Sequence, residues 1–278
     1  MNESVSLCYE QVHKDTYALV VSADNMTGNF YQGTNRSMLL INCLFRIGGA
    51  AVLLSNRSSD RLSSKYELTC TAHTNTSSSD QSYNSLFQEE DIERNKGFTT
   101  SKDLAAIASE SLEEHLTVLT PMILPVCLKL RFVSNNIKRK LLYMYNIKPY
   151  MPNVRGSVDH FYNHVGAKPV QNAVQRVLKL SESDMEAPRM TLYRWGNTYS
   201  SSIWYELAYG EAKGRLRKGD RVWNIAYGSG FKCSSNIWSA LRDIDARERL
   251  NPWTEEINQF PVDSFNMEAI SLNFGPSN

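Results

Sequence analysis

Long apolar runs, excess charge and paired cysteines are all missing from this sequence of 278 residues. No run reaches the roughly 18 to 20 uncharged residues that a membrane-spanning helix needs, which argues against a transmembrane segment. The 30 Lys and Arg residues nearly balance the 29 Asp and Glu residues, so no overall field attracts nucleic acid. The cysteines are scattered without a C-x-x-C pair, which argues against a disulfide framework and a zinc site and favours a reducing compartment. They are Cys8, Cys43, Cys70, Cys127 and Cys233.

The residues that are present suit a mixed α/β protein. A hydrophobic content of 42% allows one large core or two modest ones. Apolar β-rich runs alternate with segments of helical periodicity, which predicts a layered α/β fold. Thr100 and Asp103 predict a capping box before a helix that reaches about Leu119. The other predicted elements are strands at 16–23, 50–56, 65–75 and 221–227, and helices at 37–48, from Pro169 onward, and at 201–214.

Two histidines lie four residues apart in the segment DHFYNHVGAKPV, residues 159–170. A zinc-protease helix needs Glu directly after the first His, whereas Phe161 follows His160 here. Asp159 is the only neighbouring candidate for a third metal ligand, so a metal site is disfavoured. His160 and His164 therefore either pack with ordinary hydrogen bonds or exchange protons in catalysis, and the segment alone leaves both open.

A second cluster, TLYRWGNTYSSSIWYELAYGEAKG at residues 191–214, places Asn197 directly after a glycine and before a Ser-rich helix start. Asn in this position is typical of a turn or a helix N-cap. Its amide can also donate hydrogen bonds to an oxyanion, as in acyl-transfer sites. The cluster by itself is compatible with either role.

Taken together and in this order, the motifs resemble those of the plant 3-ketoacyl-CoA synthases that elongate very-long-chain fatty acids. The resemblance covers nearly all of residues 9 to 260. It implies a thiolase-like fold, layered α-β-α-β-α, in which residues 1–145 are the remnant of an N-terminal half and 146–278 form the C-terminal half with the His and Asn motifs. The motifs are TYALVVSADN, NRSMLLINCLFRIGGAAVLLSNR, HFYNHVGAKPV, RMTLYRWGNTYSSSIWYELAYGEAKGRLRKGDRVW and IAYGSGFKCSSNIW.

The resemblance implies an acyltransferase that performs a decarboxylating condensation. A Cys takes the acyl chain from acyl-CoA, malonyl-CoA loses carbon dioxide, and the enolate attacks the acyl thioester to give a 3-ketoacyl-CoA. Acyl-CoA and malonyl-CoA are the substrates, and no metal or other cofactor is implied. His164 matches the family's catalytic His, Asn197 its catalytic Asn, and His160 an accompanying, supporting His. The loop that shapes the acyl site matches Gly228, Ser229 and Gly230.

The sequence also departs from the family pattern. The family's nucleophile lies in a G-x-G-C-S-A-G turn that would precede Met1, so the resemblance implies a truncated chain with an incomplete first half-domain and no nucleophilic Cys. Cys8 falls in the helix that would follow this turn and is not a substitute. Asn75 and Tyr193 stand where the family has histidines. The family's two N-terminal membrane helices are absent as well.

Several partners follow from the resemblance. It implies a homodimer or a heterodimer with related synthases, other elongase subunits, and the cytosolic face of the endoplasmic reticulum membrane, but no nucleic acid. The segment 128–150 mixes basic and apolar residues and predicts either a solvated basic helix or one that lies on an anionic membrane surface. Two hypotheses remain: a condensing enzyme, or a non-catalytic paralogue that binds or modulates active synthases. A third allows slow decarboxylation of malonyl-CoA without the nucleophile.

Overall fold

Four strands pair into one sheet at the centre of the computed structural model, which describes residues 14–141 and 154–262 apart from 247 and 249. The strand order is β3–β8–β7–β6, with β6 parallel to β7 and the other pairs antiparallel. Two separate two-stranded sheets pair β1 with β2 and β4 with β5. The strands are β1 (Tyr17–Asp24), β2 (Gly48–Ser55), β3 (Tyr66–Asn75), β4 (Leu86–Glu90), β5 (Lys96–Thr100), β6 (His160–Asn163), β7 (Arg221–Gly228) and β8 (Lys232–Ala240).

Helices cover both faces of the central sheet. The helix α3 packs on β3 and β8 and also contacts α5, whereas α6 and α7 pack on β6. The described α-helices are α1 (Arg36–Leu44), α2 (Asp80–Tyr83), α3 (Leu104–Ile123), α4 (Val126–Leu141), α5 (Lys168–Leu178), α6 (Glu186–Trp195) and α7 (Ser202–Ala212). None of the helices in these described ranges is long and apolar enough to cross a bilayer.

The two faces of the sheet carry separate hydrophobic cores because neighbouring residues of a strand point in opposite directions. Phe161 and Trp223 pack on one face in a cluster with Leu116 of α3. Tyr162 and Val222 pack on the other face, in a cluster with Trp238 and Trp253. The sheet is therefore enclosed between two helical layers, which confirms the predicted layered α/β fold.

Most predicted elements occur within a residue or two of their predicted positions, but the capping box at the start of α3 is wrong. Thr100 is the last residue of β5 and pairs with Leu86, so its backbone is committed to a strand. Asp103 precedes the helix but makes no side-chain cap hydrogen bond. The helix continues past the predicted end to Ile123. In the basic segment 128–150, the structure shows α4 up to Leu141, and residues 142–150 lie outside the described ranges.

The central sheet crosses the division that the resemblance places at residue 145. β3 belongs to the first part of the chain, yet it pairs with β8 over the stretch from Tyr66↔Ala240 to Asn75↔Lys232. The contact between α3 and α5 also joins the two parts. A division at residue 145 therefore does not separate two sheets.

Candidate active site

His164 lies directly after β6, at the carboxyl end of the parallel pair β6–β7. Its backbone N–H donates to the carbonyl oxygen of Ile225 at 2.7 Å, which extends the pairing by one residue. The N–H of Gly166 donates to the His164 carbonyl oxygen at 2.7 Å and turns the chain toward α5. The imidazole is thus fixed at the sheet edge where ligands of open α/β folds commonly bind.

Asn197 is held in place by the chain segment that follows α1. Its N–H donates to the carbonyl oxygen of Leu44 at 2.8 Å, and its carbonyl oxygen accepts the N–H of Arg46 at 2.8 Å. Gly196 makes this close approach possible, because its φ is +69° and a Cβ there would lie 2.9 Å from the Leu44 carbonyl oxygen. The position of Asn197 is therefore set by residues far away in the sequence.

The side-chain amide of Asn197 is oriented by its own hydrogen bonds. Its Oδ1 accepts the backbone N–H of Tyr199 at 2.9 Å, so the NH₂ group must point the other way. In that direction, Nδ2 lies 3.5 Å from Nε2 of His164. With the His164 proton on Nε2, two neutral donors face the same small space, and one oxygen atom can accept from both.

Burial controls the protonation state of His164. Desolvation in its half-buried position lowers the pKa of His164 to about 4, because it penalises the charged imidazolium. At neutral pH the side chain is therefore a neutral imidazole that can donate one hydrogen bond. A neutral donor can stabilise negative charge that develops on a bound oxygen atom, and the imidazole does not have to be protonated first.

His164 and Asn197 line a pocket of about 100 Å³ together with Gly228 and Ser229. The third residue of this loop, Gly230, is not part of the lining; its φ of +129° serves the turn between β7 and β8. Most of the remaining lining is apolar and comes from both parts of the chain. It consists of Leu40, Ile41, Leu44, Phe45, Leu86, Thr100, Leu104, Gly166, Ala167, Val170, Tyr227 and Phe231.

Tyr227 is a pocket residue that the sequence analysis missed. Its hydroxyl is buried and has no hydrogen-bond partner among the described residues. Burial raises the pKa of Tyr227 well above its usual value, so the phenol stays protonated. Its place near the end of the buried strand β7 gave no sequence pattern that separates a pocket residue from a core residue.

The structure does not place His160 beside His164 in the same pocket, and the supporting role expected for His160 stays a prediction. The two residues stand at opposite ends of β6, and four residues of extended chain span about 13 Å. His160 Nε2 instead contacts Asp220 Oδ2 at 2.9 Å. It lines a separate cavity of about 310 Å³ with Tyr162 and Arg215.

No cysteine lines the pocket that holds His164 in the described part of the chain. Cys43 is exposed on α1, and burial raises the pKa of both Cys70 and Cys233, which disfavours their thiolates. Cys8 lies outside the described residues. Among the described ranges, no group of three or more His, Cys, Asp or Glu side chains is placed to hold a metal ion.

The two positions where histidines are replaced also lie away from this pocket. Tyr193 is 40% exposed, and its ring centroid is 6.4 Å from that of Phe260. Asn75 ends β3, and its Oδ1 accepts the N–H of Ser77 at 3.1 Å. Neither side chain contributes to the lining around His164.

Comparison with known proteins decides the family. Residues 4–141 match the family model described as FAE1/Type III polyketide synthase-like protein, and residues 155–240 match the 3-oxoacyl-[acyl-carrier-protein] synthase III C-terminal model. The chain is 52% identical over 258 residues to 3-ketoacyl-CoA synthase 2 of Arabidopsis thaliana, covering 91% of this chain and 49% of the relative. It is 50% identical over 254 residues to the probable 3-ketoacyl-CoA synthase 14 of the same plant, covering 91% and 55%. The chain belongs to the 3-ketoacyl-CoA synthase family.

The chain spans about half the length of the curated relatives it matches. Its fold is shared with PKS-I of the brown alga Ectocarpus siliculosus, at a TM-score of 0.59 and 14% identity over 84% of this chain and 55% of the other. The C-terminal type III polyketide synthase domain of Steely1 from Dictyostelium gives a TM-score of 0.61 and 12% identity over 85% and 57%. The expected thiolase-like fold is thereby confirmed.

Proposed function

We propose that this chain provides the decarboxylation site of a 3-ketoacyl-CoA synthase, which condenses malonyl-CoA with a long-chain acyl-CoA during the elongation of very-long-chain fatty acids. One observation carries the proposal: His164 Nε2 and Asn197 Nδ2 lie 3.5 Å apart in an otherwise mostly apolar pocket. Two neutral donors in such a place suit an oxygen atom that gains negative charge during the reaction.

In the proposed reaction, the thioester carbonyl oxygen of malonyl-CoA accepts hydrogen bonds from His164 and Asn197. The bond between the malonyl carboxylate and its methylene carbon breaks, carbon dioxide leaves, and the electron pair forms an enolate. The negative charge gathers on the oxygen that the two donors hold. The apolar lining disfavours water beside the malonyl carboxylate, which favours the transfer of its negative charge to the enolate as neutral carbon dioxide leaves.

The enolate carbon then attacks the carbonyl carbon of an acyl thioester, and the thiolate leaves as the new carbon–carbon bond forms. The family uses a Cys for this thioester, and no Cys lines the described pocket. When no acyl thioester is present, the enolate carbon takes up a proton and the product is acetyl-CoA. The residues of this chain therefore suit the decarboxylation step directly.

The substrates and partners of the complete reaction form part of the same proposal. Acyl-CoA and malonyl-CoA are the proposed substrates, and the Gly228–Ser229 segment beside His164 is the proposed acyl-site loop. Family membership supports a dimer with itself or with related synthases, contact with other elongase subunits, and a place at the cytosolic face of the endoplasmic reticulum.

Release of labelled carbon dioxide from [¹⁴C]malonyl-CoA by the purified chain tests the proposal. We expect a slow release that His164→Ala and Asn197→Ala each lower by about 10²-fold to 10³-fold, the usual effect of losing an oxyanion donor. Asn84→Ala, an exposed position outside the pocket, is the matched control and should retain the rate. A wild-type rate no higher than that of the double variant His164→Ala, Asn197→Ala would overturn the proposal in favour of the non-catalytic paralogue.

A further inference from the structure

A second cavity lies at the amino end of β6, whereas His164 follows the carboxyl end of that strand. Its volume of about 310 Å³ is at the lower end of the range for pockets that bind small molecules. Its lining comes from β6, from the turn before α6, and from the end of α7 with the loop that follows. Among the described residues, it shares no lining residue with the pocket around His164. We call it the β6 cavity.

The hydroxyl of Tyr162 faces the β6 cavity without a partner. Tyr162 is only 3% exposed, and its hydroxyl makes no hydrogen bond with any described residue. Gly210 of α7 also lines the cavity, and a Cβ at this glycine would overlap the Tyr162 hydroxyl oxygen. Burial raises the pKa of Tyr162, so the phenol keeps its proton and can donate. A buried donor without an acceptor costs free energy, which a ligand with an acceptor oxygen would recover.

Two arginines bring positive charge to the β6 cavity. Arg215 is half-buried, and its Nη2 donates to Glu186 Oε1 at 2.7 Å. A guanidinium group has five N–H donors, so this contact leaves others for a ligand. Arg217 is exposed and lines the same cavity. Guanidinium groups match the oxygen atoms of phosphate and carboxylate groups, which makes an anionic ligand the favoured kind.

The start of α6 forms another wall of the β6 cavity. Ser183 and Asp184 precede this helix, and Ala187 lies in its first turn. The first N–H groups of a helix have no acceptor within the helix, and together with the helix dipole they favour an anion. This wall therefore agrees with the two arginines on the charge of the ligand.

The carboxylates of the lining are already engaged by other groups. Asp184 Oδ2 lies 3.0 Å from Nη2 of Arg155 and accepts the backbone N–H of Ser181 at 2.8 Å. Asp159 Oδ2 accepts the backbone N–H of Arg221 at 2.8 Å. These contacts offset part of the negative charge of Asp159 and Asp184, so the two carboxylates do not exclude an anion.

We propose that the β6 cavity binds a phosphate group, free or as part of a small phosphorylated compound, through Tyr162, Arg215 and Arg217. The first turn of α6 and the Ser183 hydroxyl add donors from a separate segment. Phosphate suits this set better than a planar carboxylate, because donors from three segments of the chain can reach different oxygens of a tetrahedral group.

Calorimetric titration of the full chain with inorganic phosphate tests this proposal, with glycerol 3-phosphate and acetate as further probes at the same ionic strength. We expect both phosphates to bind and acetate to bind at least about tenfold more weakly, because it has fewer acceptor oxygens. Tighter binding of glycerol 3-phosphate than of inorganic phosphate identifies a phosphorylated compound as the ligand, and the reverse order identifies free phosphate.

Two variants probe the donors. Tyr162→Phe should weaken phosphate binding about tenfold, since it removes one hydrogen bond to a charged group. Without phosphate, its thermal stability should equal or exceed that of wild type, because the lost hydroxyl has no partner among the described residues. Arg217→Gln should weaken phosphate binding roughly threefold, the usual size of an exposed ionic contact.

Tyr193→Phe and Lys218→Gln are the matched controls, because they remove a hydroxyl and a positive charge from positions outside the lining. Both should bind phosphate like wild type. Equal phosphate binding by wild type and Tyr162→Phe would overturn the proposal. So would acetate binding as tight as phosphate binding, the absence of binding at millimolar phosphate, or a loss of binding in His164→Ala alone, since that result places phosphate in the other pocket.

Discussion

Acidification should unfold this protein partly through His115, a buried histidine far from any proposed chemistry. His115 is fully buried on α3, where its Nε2 lies 2.7 Å from Ser235 Oγ and its Nδ1 lies 3.1 Å from Thr74 Oγ1. Ser235 Oγ also accepts the indole N–H of Trp223 at 2.8 Å. Burial, with a smaller contribution from the nearby His73, lowers the pKa of His115 to about 4.

The sign of the effect follows from which state binds the proton first. The unfolded chain takes up a proton at His115 near its ordinary pKa of 6.5, whereas the folded chain does so only near pH 4. The contribution of the neutral His115 to the free energy of unfolding is therefore present above pH 6.5, and it is lost as the pH falls from 6.5 toward 4. Between pH 7 and pH 5, the free energy of unfolding should fall by about 2 kcal/mol through this residue alone.

Urea unfolding of wild type and His115→Gln at pH 7 and pH 5 measures this contribution. The variant should be less stable at pH 7, since it leaves buried polar groups imperfectly paired. Its further loss on going to pH 5 should be about 2 kcal/mol smaller than that of wild type. Thr74→Val is the control, because it removes one partner of the imidazole but keeps the titrating group. Equal pH dependence in wild type and His115→Gln would refute the reasoning.

Three further predictions rest on other positions. Gly196→Ala should lower the free energy of unfolding, measured in urea, by about 1–3 kcal/mol, because φ is positive there and the new Cβ meets the Leu44 carbonyl oxygen. Gly214→Ala is the control: φ is also positive but the new Cβ points into open space, so the free energy of unfolding should fall by less. Burial raises the pKa of Glu206 well above its usual value, so Glu206→Gln should become more stable relative to wild type as the pH rises above about 4.5. If the two proteins differ in free energy of unfolding in urea by the same amount at pH 5 and pH 8, this prediction is contradicted. His160→Gln should leave carbon dioxide release from malonyl-CoA within about twofold of wild type, because about 13 Å of extended chain separates it from His164.

The positions of the strands and helices were largely predictable because burial on a sheet or helix face leaves a period in the sequence. The start of α3 was not, because the Thr100 cap was judged from local spacing while its backbone pairs with Leu86 in β5. The four-residue spacing of His160 and His164 likewise does not give the distance between them, because that distance depends on whether the segment is helical or extended. In an extended strand, that spacing keeps both on one face but far apart.

The two roles considered for Asn197 are compatible in one side chain. Its Oδ1 accepts the N–H of Tyr199, as a turn residue does, and this hydrogen bond leaves the NH₂ group facing His164. The sequence suggested both roles. It could not show that the first sets up the second, because that depends on which way the side-chain amide of Asn197 points. Tyr227 was missed because a tyrosine at the end of a buried strand carries no pattern that separates a pocket residue from a core residue.

The proposed site depends on both parts of the chain that the resemblance had divided at residue 145. His164 and Asn197 come from the second part, but the backbone of Asn197 is fixed by Leu44 and Arg46 of the first. The apolar lining likewise draws on α1 and on the start of α3. Because the NH₂ group must stay within 3.5 Å of the imidazole, a shift of the segment after α1 would move one donor away from the other. The first part therefore acts on the chemistry by positioning Asn197, even though it contributes neither of the two donors.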